Sequence, residues 1–69
     1  MKINYRIKIE HNYHNTGRCR IFIYNLITMK VESVRYIGDT TEIIQNMIDF
    51  YKELIEYKWG GQVVQILES

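Results

Sequence analysis

Proline is absent from this 69-residue chain, and cysteine occurs once, as Cys19. With no proline there is no Pro-rich linker, and no shift in composition marks a boundary, so residues 1–69 read as one small domain. A single cysteine excludes an internal disulfide framework and fits a reducing compartment, so a cytoplasmic location is expected. No apolar run approaches the ~20 residues of a membrane span. The first residues alternate charge with isoleucine, which excludes the apolar heart of a signal peptide, and no membrane partner is expected. Repeats and low-complexity segments are missing. So are a Gly-rich phosphate loop, a nucleophile elbow and a local Ser/His/Asp signature, and the chain reads as non-enzymatic, with no cofactor.

What is present is a folding composition. Hydrophobic residues make up 46% and aromatics 13%, which argues for a packed domain near the lower size limit for an unstapled core. The net charge of +1 conceals a split. Residues 1–35 hold seven Lys or Arg against two acids, while residues 36–69 hold two Lys against six acids. One half is basic, the other acidic.

Sustained helical periodicity is confined to residues 38–60. Ile43, Ile44, Met47, Ile48, Tyr51, Leu54 and Ile55 recur at three- and four-residue spacings and form one broad apolar face. Glu42, Gln45, Asn46, Asp49, Lys52, Glu53 and Glu56 fill the other side. Asp39 is expected as the N-cap, with Glu42 completing a capping box, and Gly60-Gly61 as the stop.

The rest reads as strand. Residues 2–10 alternate strictly: Ile3, Tyr5, Ile7 and Ile9 point one way, and Lys2, Asn4, Arg6, Lys8 and Glu10 the other. Residues 11–17 form a loop. Residues 18–26 form a second strand in which Cys19, Ile21 and Ile23 face the helix. A turn is needed near Asn25 or Thr28, although neither Gly nor Pro is there. Residues 31–37 and 62–67 are two further strands, whose parities both mix apolar and polar residues and leave their facing open. The expected fold is α+β, a two-layer β-β-β-α-β unit with an antiparallel sheet covered on one face by one helix. Sheet edges in so small a domain make a homodimer a live possibility.

Gly38-Asp39-Thr40, followed by Glu42, Ile44 and Asn46 on the opening turns of a helix, resembles the Gly-Asp-Thr-x-x-Glu-Ala-x-x-Asn pattern of HicB-type antitoxins. In that family three strands precede the motif and one follows the helix, in a partial RNase H fold. The resemblance implies a protein that blocks a partner nuclease, without an operator-binding half.

Several residue groups are candidates for chemistry. His11 and His14 stand three apart, a spacing that serves a metal on a helix, but they lie in an Asn-rich loop and read as solvated, so no metal is expected. Cys19 has Arg18 and Arg20 beside it, yet alternation turns it away from both and makes it a small core residue. Glu42, Asp49, Glu53 and Glu56 describe a solvated helix flank. There remains a basic sheet face of Lys2, Arg6, Lys8, Arg18 and Arg20 with Phe22 and Tyr24. Charge beside flat rings suits single-stranded nucleic acid, and equally an acidic protein groove. Phe50, Tyr57 and Trp59 lie off the centre of the helical apolar face and form a second candidate contact patch. The preferred reading is a small non-catalytic inhibitor with a protein partner, such as a nuclease or nucleic-acid-handling complex, antitoxin-like or anti-CRISPR-like and of phage or mobile-element type. A nucleic-acid-binding module and a structural homodimer are the alternatives.

Overall fold

The computed structural model describes residues 2–12 and 15–69. Strand β1 spans Ile3–Glu10, β2 Arg18–Asn25 and β3 Lys30–Gly38. Helix α1 spans Thr41–Glu53 and runs on as a π-helical turn over Leu54–Lys58, after which β4 spans Gly61–Glu68. The strands lie in the order β3-β2-β1-β4. The chain thus has the two-layer α+β architecture and element order read from the sequence. Its first three strands are the expected antiparallel meander. The fourth, however, runs parallel to β1, so the sheet is mixed rather than wholly antiparallel. The reason is directional. After two reversals β3 runs like β1, and a single helix carries the chain back to its starting end, so the next strand must run the same way again.

The core is one layer between helix and sheet. Ile7, Ile9, Ile21, Ile23 and Ile55 are fully buried, together with Tyr5, Cys19, Ile44, Ile48 and Tyr51. Alternation along β1 and β2, the two central strands, places their Ile, Tyr and Cys side chains under the helix. Truncating one such isoleucine to alanine costs about 2–5 kcal/mol, a large share of the stability of a domain this size. Tyr51 buries its ring, and its hydroxyl meets Ser33 Oγ on β3 at 2.9 Å, which satisfies the polar tip. No helix among the described residues is long and apolar enough to cross a membrane.

Local chemistry departs from the sequence expectation at the helix cap and supplies the detail of the expected turn and of the two strands whose facing was open. The N-cap is Thr40, not Asp39: Thr40 has extended backbone and its Oγ1 accepts from Ile43 N–H at 3.3 Å. With the helix starting at Thr41, Glu42 sits too early to close a capping box. The turn between β2 and β3 occupies residues 26–29. Asn25 Oδ1 accepts from the N–H groups of Ile27 (2.9 Å) and Thr28 (3.1 Å), doing by side chain what a turn glycine does by backbone freedom. Met29 closes it at φ 59°, a left-handed position seldom given to a long side chain. Finally, β3 and β4 each carry a bulge, at Glu32 and Val64, which inverts the alternation part-way along. That inversion is why both parities of these strands look mixed in sequence.

The helix ends where expected, with Gly60 in the left-handed region at φ 65°. Gly61 has a different reason to be glycine. A Cβ there would lie 2.6 Å from the Ile3 carbonyl oxygen and against the Tyr5 ring. Gly61→Ala is therefore expected to lower unfolding free energy in urea by about 1–3 kcal/mol, whereas Gly17→Ala, whose Cβ would meet no atom within 4 Å, should be affected only through its φ of 73°.

Candidate functional site

A sheet with one covering layer leaves its other face open, and strand register decides what that face presents. Across β3, β2 and β1 one row reads Tyr36, Arg20, Glu10. The next, reaching β4, reads Val34, Phe22, Lys8, Leu67, and the third Val31, Tyr24, Arg6, Gln65. Arg18 stands opposite Gly38 on the same side. Of the residues singled out in sequence, Arg6, Lys8, Arg18, Arg20, Phe22 and Tyr24 thus share one face. Lys2 is exposed just before β1 begins.

The geometry changes the character of that face. Arg20 Nη2 donates to both Glu10 carboxylate oxygens at 2.9 Å, and its guanidinium lies 4.7 Å from the centre of the Phe22 ring. Its charge is largely neutralised by Glu10, and it lies over the Phe22 ring. Arg6 Nε donates to Gln65 Oε1 at 2.7 Å, a neutral partner that positions the guanidinium without cancelling its charge. Phe22 and Tyr24 lie 5.9 Å apart, tilted by 34°. Around them stand apolar side chains not assigned to this face from sequence: Val31 (43% exposed), Val34 (42%), Tyr36 (50%) and Leu67 (38%). The open face is an aromatic and aliphatic stripe on β3 and β2, with Lys8 and Arg6 beside it on β1 and Leu67 beyond them on β4. Only the bulges hid its outer columns, because the signal that would have found them, strict alternation, breaks at Glu32 and Val64.

On the helix, Phe50 and Tyr57 are 49% and 82% exposed and line a shallow groove of about 310 Å³ with Glu53, Leu54 and Lys58. Trp59 is not part of that surface. Its ring packs on Tyr5, 5.5 Å between centres, and it anchors the helix end to the core.

The far end of the sheet assembles a second group that sequence reading kept apart. His11 Nδ1 lies 2.8 Å from Asp39 Oδ1, Asn12 N–H donates to Asp39 Oδ2 at 2.7 Å, and His11 Nε2 is 3.8 Å from Glu68 Oε2. Cys19 is buried beside them, and the ligating atoms of His11, Cys19 and Asp39 all lie within 4.8 Å of one another. The hydrogen bond that His11 donates to Asp39, reinforced by the charges of Asp39 and Glu68, raises the His11 pKa above its ordinary 6.5, against the opposing effect of burial. The same bond, helped by the Asn12 N–H, holds Asp39 below its ordinary value. Burial, then the nearby carboxylates, pushes the Cys19 thiol up, so it is no ready nucleophile. One sequence signal pointed here: His11 continues the odd-numbered parity of Ile7 and Ile9, toward the helix layer. His14, weighed with it as a metal-spaced pair, lies outside the described residues.

Compared with protein-family models, curated proteins and solved structures, the chain finds no match. Its function has to be read from these surfaces.

Asp39 and Thr40 make separable predictions. Thr40→Ala removes the helix cap and is expected to cost about 1 kcal/mol, with faster amide exchange in the first turn of α1. Asp39→Ala should instead speed exchange at Asn12 and leave the first turn of α1 protected, as amide-resolved hydrogen exchange can show.

Proposed function

We propose that the protein is a small non-catalytic inhibitor that lays its open sheet face on an acidic region of a macromolecular partner and blocks it. The observation that carries this reading is the stripe of Val31, Val34, Tyr36, Phe22, Tyr24 and Leu67 on a sheet face that no layer covers. An apolar, aromatic patch on β3 and β2 flanked by basic side chains on the neighbouring strand β1 fits a protein–protein contact, in which Tyr, Trp and Arg supply most of the energy. Neutralisation of Arg20 by Glu10 favours a protein over a phosphate backbone, because one of the guanidiniums on the two inner strands is already engaged. Lys8, Arg6 and Arg18 remain to steer the face toward carboxylates. A nuclease offers such a surface, since its catalytic metals are held by clustered acids. The element order is also the one that the likeness to HicB-type antitoxins implies, which supports an antitoxin-like or anti-defence role.

A nucleic-acid reading has one observation of its own: Phe22 and Tyr24 sit side by side on a central strand, directly opposite Lys8 and Arg6. That is a stacking platform with phosphate contacts one strand away. The two readings part on salt and on nuclease treatment.

The deciding experiment is tagged-protein co-purification from the native host, half of it nuclease-treated, with wild type beside Tyr24→Ala/Tyr36→Ala. A stoichiometric protein partner that survives nuclease and is lost from the double variant is expected, each hot-spot truncation costing about 2 kcal/mol or more of binding. Retention of no protein, or equal retention by the variant, removes the reading. Oligonucleotide binding that falls steeply with salt and needs Arg6 would put the nucleic-acid alternative in its place.

A further inference from the structure

We infer that His11, Cys19 and Asp39 form a site for a tetrahedral divalent transition-metal ion, with zinc the fitting occupant, at the end of the sheet away from Trp59. The three come from separate segments: the residue after β1, the second residue of β2, and the link between β3 and α1. Their ligating atoms lie within 4.8 Å of one another, and His11 Nδ1 and Asp39 Oδ1 are 2.8 Å apart. In a tetrahedral zinc site, bonds of about 2.0–2.3 Å set ligand atoms roughly 3.3–3.8 Å apart. The His11–Asp39 spacing is shorter than that range and the cluster as a whole spans up to 4.8 Å, so side-chain rotations would bring the three onto one ion. Thiolate, imidazole and carboxylate together select zinc over calcium or magnesium, which take oxygen ligands.

The surroundings supply the outer contacts such a site needs. A metal-bound histidine is ordinarily oriented by a carboxylate on its other ring nitrogen, and Glu68 Oε2 lies 3.8 Å from His11 Nε2. Asp39 has its second oxygen held by the Asn12 N–H at 2.7 Å, which leaves Oδ1 to face the ion. Cys19 is fully buried, while the His11 and Asp39 side chains are 37% and 20% exposed, so the ion enters from the loop side. On binding, the Cys19 thiol gives its proton to solvent as the sulfur–metal bond forms. His11 coordinates through Nδ1 and keeps its proton on Nε2, and water fills the fourth position. The ion would tie the end of β1, the start of β2 and the approach to α1 together.

The test uses the full chain, stripped with a chelator and then given zinc chloride or cobalt chloride. One equivalent of zinc in native mass spectrometry, a rise in melting temperature with zinc, and a thiolate-to-cobalt charge-transfer band with intense visible bands are expected. Glu68→Gln should weaken zinc by about 10–100-fold, as loss of an orienting carboxylate does. His11→Gln and Asp39→Asn should weaken it at least as much, and Cys19→Ser should abolish the charge-transfer band. If Cys19→Ser fails to fold, the two more exposed variants decide the matter alone. Failure to bind one equivalent of zinc, a cobalt complex without the thiolate band, or wild-type affinity in both His11→Gln and Asp39→Asn would overturn the assignment. Because the measurement needs no partner, its outcome is independent of whether the sheet face binds a nuclease.

Discussion

Everything in this molecule depends on a single apolar layer made chiefly of isoleucine. Ile7 and Ile9 on β1, Ile21 and Ile23 on β2, and Ile44, Ile48 and Ile55 from the helical segment meet in one seam with Tyr5, Cys19 and Tyr51. The chain has one helix to spend on covering a four-stranded sheet. It therefore buries one face of the sheet and leaves the other to solvent or to a partner. Among the described residues no second helix covers the open side, and its exposed apolar and aromatic side chains follow directly.

The open face is stiffened from within the sheet. The Arg20–Glu10 pair, one nitrogen shared between both carboxylate oxygens, joins β2 to β1, the Arg6–Gln65 bond joins β1 to β4, and Gln62 Nε2 donates to Asn4 Oδ1 across the same pair of strands. These polar links cross-brace the strands of the open face, and a prepositioned surface loses less side-chain entropy on binding. At the other end of the sheet the Asp39 carboxylate serves the loop rather than the helix. A residue next to the start of a helix is a natural cap, but the neighbouring threonine takes that place and leaves Asp39 for His11 and Asn12. Letters that look like a capping box thus divide between two tasks.

Much of the architecture was legible from sequence because the two periods involved are short and regular. Strict alternation in β1 and β2 assigned the inward Ile, Tyr and Cys side chains correctly, and the three-to-four spacing of Ile44, Ile48, Tyr51 and Ile55 located the helical face. The same alternation gathered Arg6, Lys8, Arg18, Arg20, Phe22 and Tyr24 onto one side. Trp59, by contrast, looked like a surface anchor, since periodicity says nothing about which ring another strand will offer; Tyr5 offers one. The outer columns of the open face were hidden by the bulges at Glu32 and Val64, where one extra residue reverses parity.

Sequence by itself determined the element order and the inward faces of β1 and β2, because those rest on local periodicity and on the exclusion of apolar side chains from water. Tertiary structure alone decided the neutralisation of Arg20 by Glu10, the apolar breadth of the open face, and the meeting of His11, Cys19 and Asp39. Each of these depends on register between segments distant in the chain. Register is set by the whole pattern of pairing and bulges, a cooperative property that no local window contains.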